Sequence, residues 1–95
     1  MALSENAKRQ ALSLMKTRLN RMPGESALDE YFAARLDAAE REMARQGIKL
    51  TDGMDDVLLL VDKAVFDYQN RDKMQSQPDW LKAKLRGRWL NERGT

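Results

Sequence analysis

The chain has 95 residues, with 17 Lys/Arg against 15 Asp/Glu for a net charge of +2, and neither cysteine nor histidine. This length holds one domain with a modest core. The missing thiols and imidazoles exclude disulfides, zinc centres of the Cys/His kind and Cys- or Ser–His nucleophilic chemistry.

The N-terminus, MALSENAKRQ, lacks the apolar stretch of a signal peptide. The first predicted helix runs from Ser4 to about Arg21, with Ser4 as its start. Leu12, Met15, Leu19 and Met22 recur at helical spacing and form its apolar stripe. Pro23-Gly24 ends it. The second helix is expected from about Ala27 to Gln46, with Ser26 as N-cap and Asp29 and Glu30 in the first turn, where the helix dipole favours negative charge. Leu28, Phe32, Leu36, Ala39 and Met43 mark its buried face, and Gly47 is a left-handed C-terminal residue onto which Ile48 folds back.

The third helix begins after Thr51 or Asp52 and holds the most apolar stretch, Val57–Val61, which is far short of a membrane span. Val57, Leu58, Leu60, Val61, Ala64, Val65 and Tyr68 fall within an arc of about 160° that faces the core. Leu59 and Phe66 lie nearly opposite, ringed by Asp62, Lys63 and other charges, so this helix is apolar on two sides. Either another helix of the same chain or a neighbouring subunit covers the second side. The polar rim favours a subunit interface at Leu59, Phe66, Asp62 and Lys63. On that reading Leu59→Asp or Phe66→Asp leaves a folded monomer that cannot assemble. Tyr68 closes the core stripe, while Asn70 and Arg71 end the helix.

The fourth helix starts at Pro78 with Asp79 in its first turn, and Leu81, Leu85 and Trp89 share its packing face. Gly87 weakens or ends it. No strand pattern is present, so the expected class is all-α: about four helices around a central apolar helix near residues 54–71.

Carboxylates are the remaining catalytic material. Asp55 and Asp56 fit a helix first turn, and Asp62 and Asp67 a solvated face. GIKLTDG lacks the spacing of a phosphate loop, and DGMDD lacks the later glycine and closing glutamate of a calcium loop. The chain therefore reads as a non-enzyme without metal or other cofactor. Its charge is uneven: residues 1–24 carry five Lys/Arg and one acid, residues 25–79 seven against thirteen, and residues 80–95 five against one. Basic ends around an acidic middle suit self-association or contact with a polyanion. Lys82, Lys84, Arg86, Arg88 and Arg93, interleaved with Trp89, are the candidates for touching DNA phosphates or an acidic partner. A small helical DNA-binding regulator is thus the alternative reading, although Gln46–Gly53 is long for a helix-turn-helix.

Three segments carry a resemblance: ALDEYFAARLDAAEREMARQGIKL, DDVLLLVDKAVFDYQNRDK and PDWLKAKLRGRWL. From Ala27 onward the chain resembles the head–tail connector proteins, also called adaptor or head-completion proteins, of long-tailed bacteriophages. The ending Tyr68-Gln69-Asn70-Arg71 is its most distinctive part. The helix at Ser4–Arg21 lies ahead of the matching region, and the resemblance implies that residues 1–24 are an addition to a connector-like domain at 25–95. The resemblance implies a virion protein at the head–tail junction, assembled in the bacterial cytoplasm as a ring of identical subunits. It implies as partners the portal protein, a tail or stopper protein and, non-specifically, the passing double-stranded DNA, with no membrane.

Overall fold

The computed structural model describes residues 3–20, 26–70 and 77–94. It is all-helical, as the sequence pattern predicts, with α1 (Glu5–Arg18), α2 (Asp29–Arg45), α3 (Met54–Gln69) and α4 (Asp79–Gly94). α3 is the central helix and approaches the other three, α1 and α2 also approach each other, and among the described residues the backbone of α4 comes close to no helix but α3.

Local chemistry sets the helix ends. The Ser4 hydroxyl accepts the Ala7 N–H at 3.2 Å, which satisfies one of the unpaired donors at the start of α1. α1 is shorter than expected and closes over Leu19 and a left-handed Asn20 (φ 60°); Met22 lies outside the described residues. Its buried line is Ala7, Ala11 and Met15, with Leu12 and Leu19 only half-buried. The small alanines face inward, leaving the bulkier leucines at the edge.

α2 begins at Asp29, later than expected, because Ser26 gives its carbonyl to the Asp29 N–H in a preceding turn and its side chain caps nothing. At its other end Gly47 (φ 92°) donates to the Ala44 carbonyl and Ile48 to that of Met43, the paired bonds of a Schellman ending. The long connection to α3 has a packing purpose: Ile48 and Leu50 are both buried in the core. The Asp52 carboxylate accepts the Ser4 N–H at 2.9 Å and ties this connection to the start of α1.

α1 shares one core with α2, α3 and α4: Ala7, Ala11 and Met15, with Leu3 just ahead of the helix, join the cluster that holds Phe32, Leu60 and Leu81. Lys16 pairs with Asp29 at 3.0 Å, joining the end of α1 to the beginning of α2. Tyr68 stands edge-on to Phe32 with ring centroids 5.3 Å apart, and Tyr31 packs against it at 5.9 Å. The Tyr31 hydroxyl accepts from Arg35 Nη2 at 2.7 Å. Asn70 ends α3 by donating its amide Nδ2 to the Phe66 carbonyl at 2.9 Å, with φ −116° rather than the left-handed conformation. Arg71 lies outside the described residues.

α4 does not stop at Gly87 but continues to Gly94. A methyl group at Gly87 would meet no atom within 4 Å, so nothing in the fold needs glycine there. Gly87→Ala is expected to stabilise the chain by about 1 kcal/mol, read as a rise in melting temperature of roughly 4–8 °C. Gly47→Ala is expected to do the opposite. It forces a Cβ into a left-handed residue and brings it to 3.1 Å from Trp89 Nε1, at a cost of about 1–2 kcal/mol. Thermal melts of the two variants beside the parent check both signs.

Candidate interaction surface

The second side of α3, Leu59, Phe66 and the charges around them, was expected as an open lateral face. The structure covers most of it from within the chain. Leu59 is buried at 7 % exposure, Lys63 at 2 % and Asp62 at 9 %, and Phe66 is half-buried against the core. The physical reason is that α3 is surrounded: α4 lies along the Leu59 side, and α2 reaches Lys63 through Glu42 (2.8 Å). Conversely Leu58, expected inside, is 44 % exposed, because it lines an open groove between α3 and α4. The expected arc was displaced: α3 also buries Asp56, Leu59 and Lys63 beyond it, and shows solvent a strip that begins with Met54 and Leu58.

Asp56 and Asp62 fix α4 in this position. The Asp56 carboxylate accepts from the Thr51 N–H (2.8 Å) and hydroxyl (2.9 Å), and from Arg88 Nε (2.8 Å) and Nη2 (3.1 Å). Arg88 Nη2 also donates to the Lys49 carbonyl at 2.6 Å. One carboxylate therefore closes the start of α3, the connection before it and the far half of α4 into one network. Asp62 takes Arg18 from α1 on one oxygen and Lys84 from α4 at 3.0 Å on the other, bridging the groove in which Leu58 is exposed. Asp62 is thus a buried bridge between helices rather than a solvated residue. Lys63, beneath Glu42 and Asp67, is held at the same depth.

These pairings shift titrations. Burial pushes the Asp56 carboxyl up, but the bonds from Arg88 and Thr51 outweigh it and hold it below the usual carboxylate value. Burial likewise pushes the Lys63 ammonium down, and Glu42 and Asp67 more than reverse that, raising it. A carboxyl lowered on folding contributes stability that is present above its unfolded pKa, about 3.9, and lost as pH falls through the lower folded value. Asp56→Asn resembles the protonated state. Its stability deficit against the parent is therefore expected to be full at neutral pH and to shrink below about pH 4, measured by urea titrations at stepped pH.

Of the basic candidates on α4, the structure assigns two to holding the fold. Arg88, half-buried against Asp56, is not available to a partner, which corrects its reading as a surface cation. Lys84 keeps an exposed side chain, but its ammonium serves Asp62 and lies 5.3 Å from the Trp80 ring centroid. Lys82 and Arg86 are exposed and make no ion pair among the described residues. The side chain of Arg93 lies outside the described residues. Trp89 is half-buried and packs against the core beside Gly47 rather than offering a ring for stacking.

What sequence reasoning missed is the outward side of α4. Trp80, Ala83, Gly87 and Leu90 recur at i, i+3, i+7 and i+10 within an arc of about 80°, and all are exposed, Trp80 at 48 % and Leu90 at 52 %. This stripe is nearly opposite the face that buries Leu81 and Leu85. It is flanked by Lys82 and Arg86 on one side and continues on the other into the groove that holds Leu58. The two-sided apolar helix foreseen in α3 is therefore α4. The spacing was readable in the sequence and was obscured by treating Gly87 as a stop.

A second groove, of about 310 Å³, runs between α1 and α2. Leu12, Leu36 and Leu60 line its base, and Ala33, Asp37 and Glu40 its α2 rim. Among the described residues no cluster of acidic side chains is arranged to hold a metal, and no helix is long and apolar enough to cross a membrane. No family model matches the chain, and neither a curated protein nor a solved structure matches it.

Proposed function

We propose that this chain is a non-enzymatic structural protein of a bacteriophage virion, a ring-forming head–tail connector. It docks on the portal, extends the DNA channel and presents a surface to the tail or a stopper protein. The observation that carries the proposal is the resemblance at Asp55–Lys73 and its flanking segments. The exposed apolar stripe of α4 supports it. An exposed Trp80/Leu90 face beside Lys82 and Arg86, which make no ion pair among the described residues, is the chemistry of a protein that works by contact. A small chain that keeps such a face exposed gains by covering it in an assembly.

The test uses the phage that encodes the chain. Removing its gene is expected to leave DNA-filled heads that leak their DNA and free tails that do not join, and the purified protein, bound to isolated portal rings, is expected to restore joining. Unimpaired head–tail joining without the protein, or no binding to portal rings, overturns the reading. Tight duplex binding with sequence preference and a steep salt dependence would instead support the regulator.

A further inference from the structure

We infer that the outward stripe of α4 seats in the α1/α2 groove of a second copy of this chain, so that subunits join head to tail. The inference rests on the ring-forming reading above and names its two surfaces.

The stripe combines two large apolar ends with a flat middle. Trp80 and Leu90 stand about 15 Å apart along the axis, with Ala83 and Gly87 between them. At Gly87 even a Cβ would be in open space, so a partner helix can lie close against this stretch. Such a face requires a partner surface that is apolar, elongated and acidic along one edge.

Charge selects the occupant. Pairing α4 with α4 of another copy sets Lys82 and Arg86 against the same cations, which like-charge repulsion disfavours. The α1/α2 groove offers the complement. Leu12, Leu36 and Leu60 supply an apolar floor, and Ala33 stands exposed on the α2 edge. Asp37 and Glu40 supply a rim one helical turn long, matching the one-turn spacing of Lys82 and Arg86. The α1 rim carries Glu5 with Lys8 and Arg9, so the acidic edge is the α2 edge, and this fixes the direction in which α4 lies.

The stripe and the groove are different surfaces of one chain. Their contact is therefore heterologous: each copy gives α4 to one neighbour and receives α4 from another, which closes into a ring or continues as a filament. This assigns Lys82 and Arg86 to a neighbouring subunit rather than to the portal or DNA.

The absence of native cysteine makes cross-linking clean. Gly87→Cys and Ala33→Cys place thiols at exposed positions of the stripe and the groove, and the two chains are mixed under oxidation with portal rings present and absent. The expected product is the mixed Gly87→Cys/Ala33→Cys dimer in clear excess over either self-linked dimer. Sedimentation supplies the second arm. Lys82→Glu with Arg86→Glu is expected to weaken self-association about 100-fold, and so is Asp37→Lys with Glu40→Lys; mixing the two reversed chains restores it. Predominant self-linked dimers, no mixed product under either condition, or reversed chains that assemble like the parent overturn this contact. So does loss of DNA binding in the Lys82/Arg86 variant with assembly unchanged. Any of these alongside normal portal binding and head completion removes the interface and leaves the connector reading standing. Failure of portal binding and head completion, with the mixed cross-link intact, removes the connector reading alone.

Discussion

Asp56→Ala is expected to cost about 3–5 kcal/mol, because it removes one side of a buried ion pair and leaves the other behind. The Asp56 side chain is only 9 % exposed and that of Arg88 18 %, so the stranded guanidinium cannot recover full hydration without pulling α4 away. Thr51 loses the acceptor of both its N–H and its hydroxyl in the same step. Since, among the described residues, the backbone of α4 lies close to no helix but α3, its attachment should suffer first. Amide exchange is expected to accelerate along α4 and over Lys49–Thr51 before the α1–α2–α3 core loosens. Urea unfolding gives the total. Asp56→Ala with Arg88→Ala is expected to cost less than the sum of the single changes, by about 0.5–3 kcal/mol, because the double change strands no charge. Additive costs, or uniform exchange across all four helices, would contradict the central role given to this pair.

Two adjacent residues give the second large contrast. Leu59→Asp is expected to prevent folding, whereas Leu58→Asp is expected to change stability by no more than about 0.5 kcal/mol. Losing the Leu59 side chain from the core costs about 2–5 kcal/mol. The new carboxylate adds a buried charge with no cation of its own, one turn from both Asp56 and Asp62, whose cations are already engaged. A domain of ordinary stability, about 5–15 kcal/mol, does not withstand both. Leu58 is 44 % exposed, and a carboxylate there stays in water. Circular dichroism and urea titration of the two variants decide the matter. A folded Leu59→Asp chain would restore the second side of α3 as an open face.

The helices were legible because each carries its own local signals. Ser4 sits one residue before α1, Gly47 ends α2 in the left-handed conformation, and Pro78 stands before α4 with its carbonyl accepting the Leu81 N–H. The buried faces Phe32–Leu36–Ala39–Met43 and Leu81–Leu85 follow from periodicity for the same reason. The roles of the charges were not legible. Asp62 and Lys63 look like surface residues in sequence. They are buried because Arg18, Lys84 and Glu42 arrive from three other helices, and the distances along the chain, 44, 22 and 21 residues, leave no local trace.

By itself, then, the sequence determined an all-α chain with a central apolar helix and no imidazole or thiol chemistry, since helix periods, caps and composition are properties of neighbouring residues. The tertiary structure alone decided which side of which helix remains open. It placed α4 over Leu59, spent Arg88 and Lys84 on buried carboxylates, and left Trp80, Ala83, Gly87 and Leu90 facing water. Whether an apolar stripe is core or surface depends on what packs on it, and that partner comes from elsewhere in the chain, where periodicity carries no information.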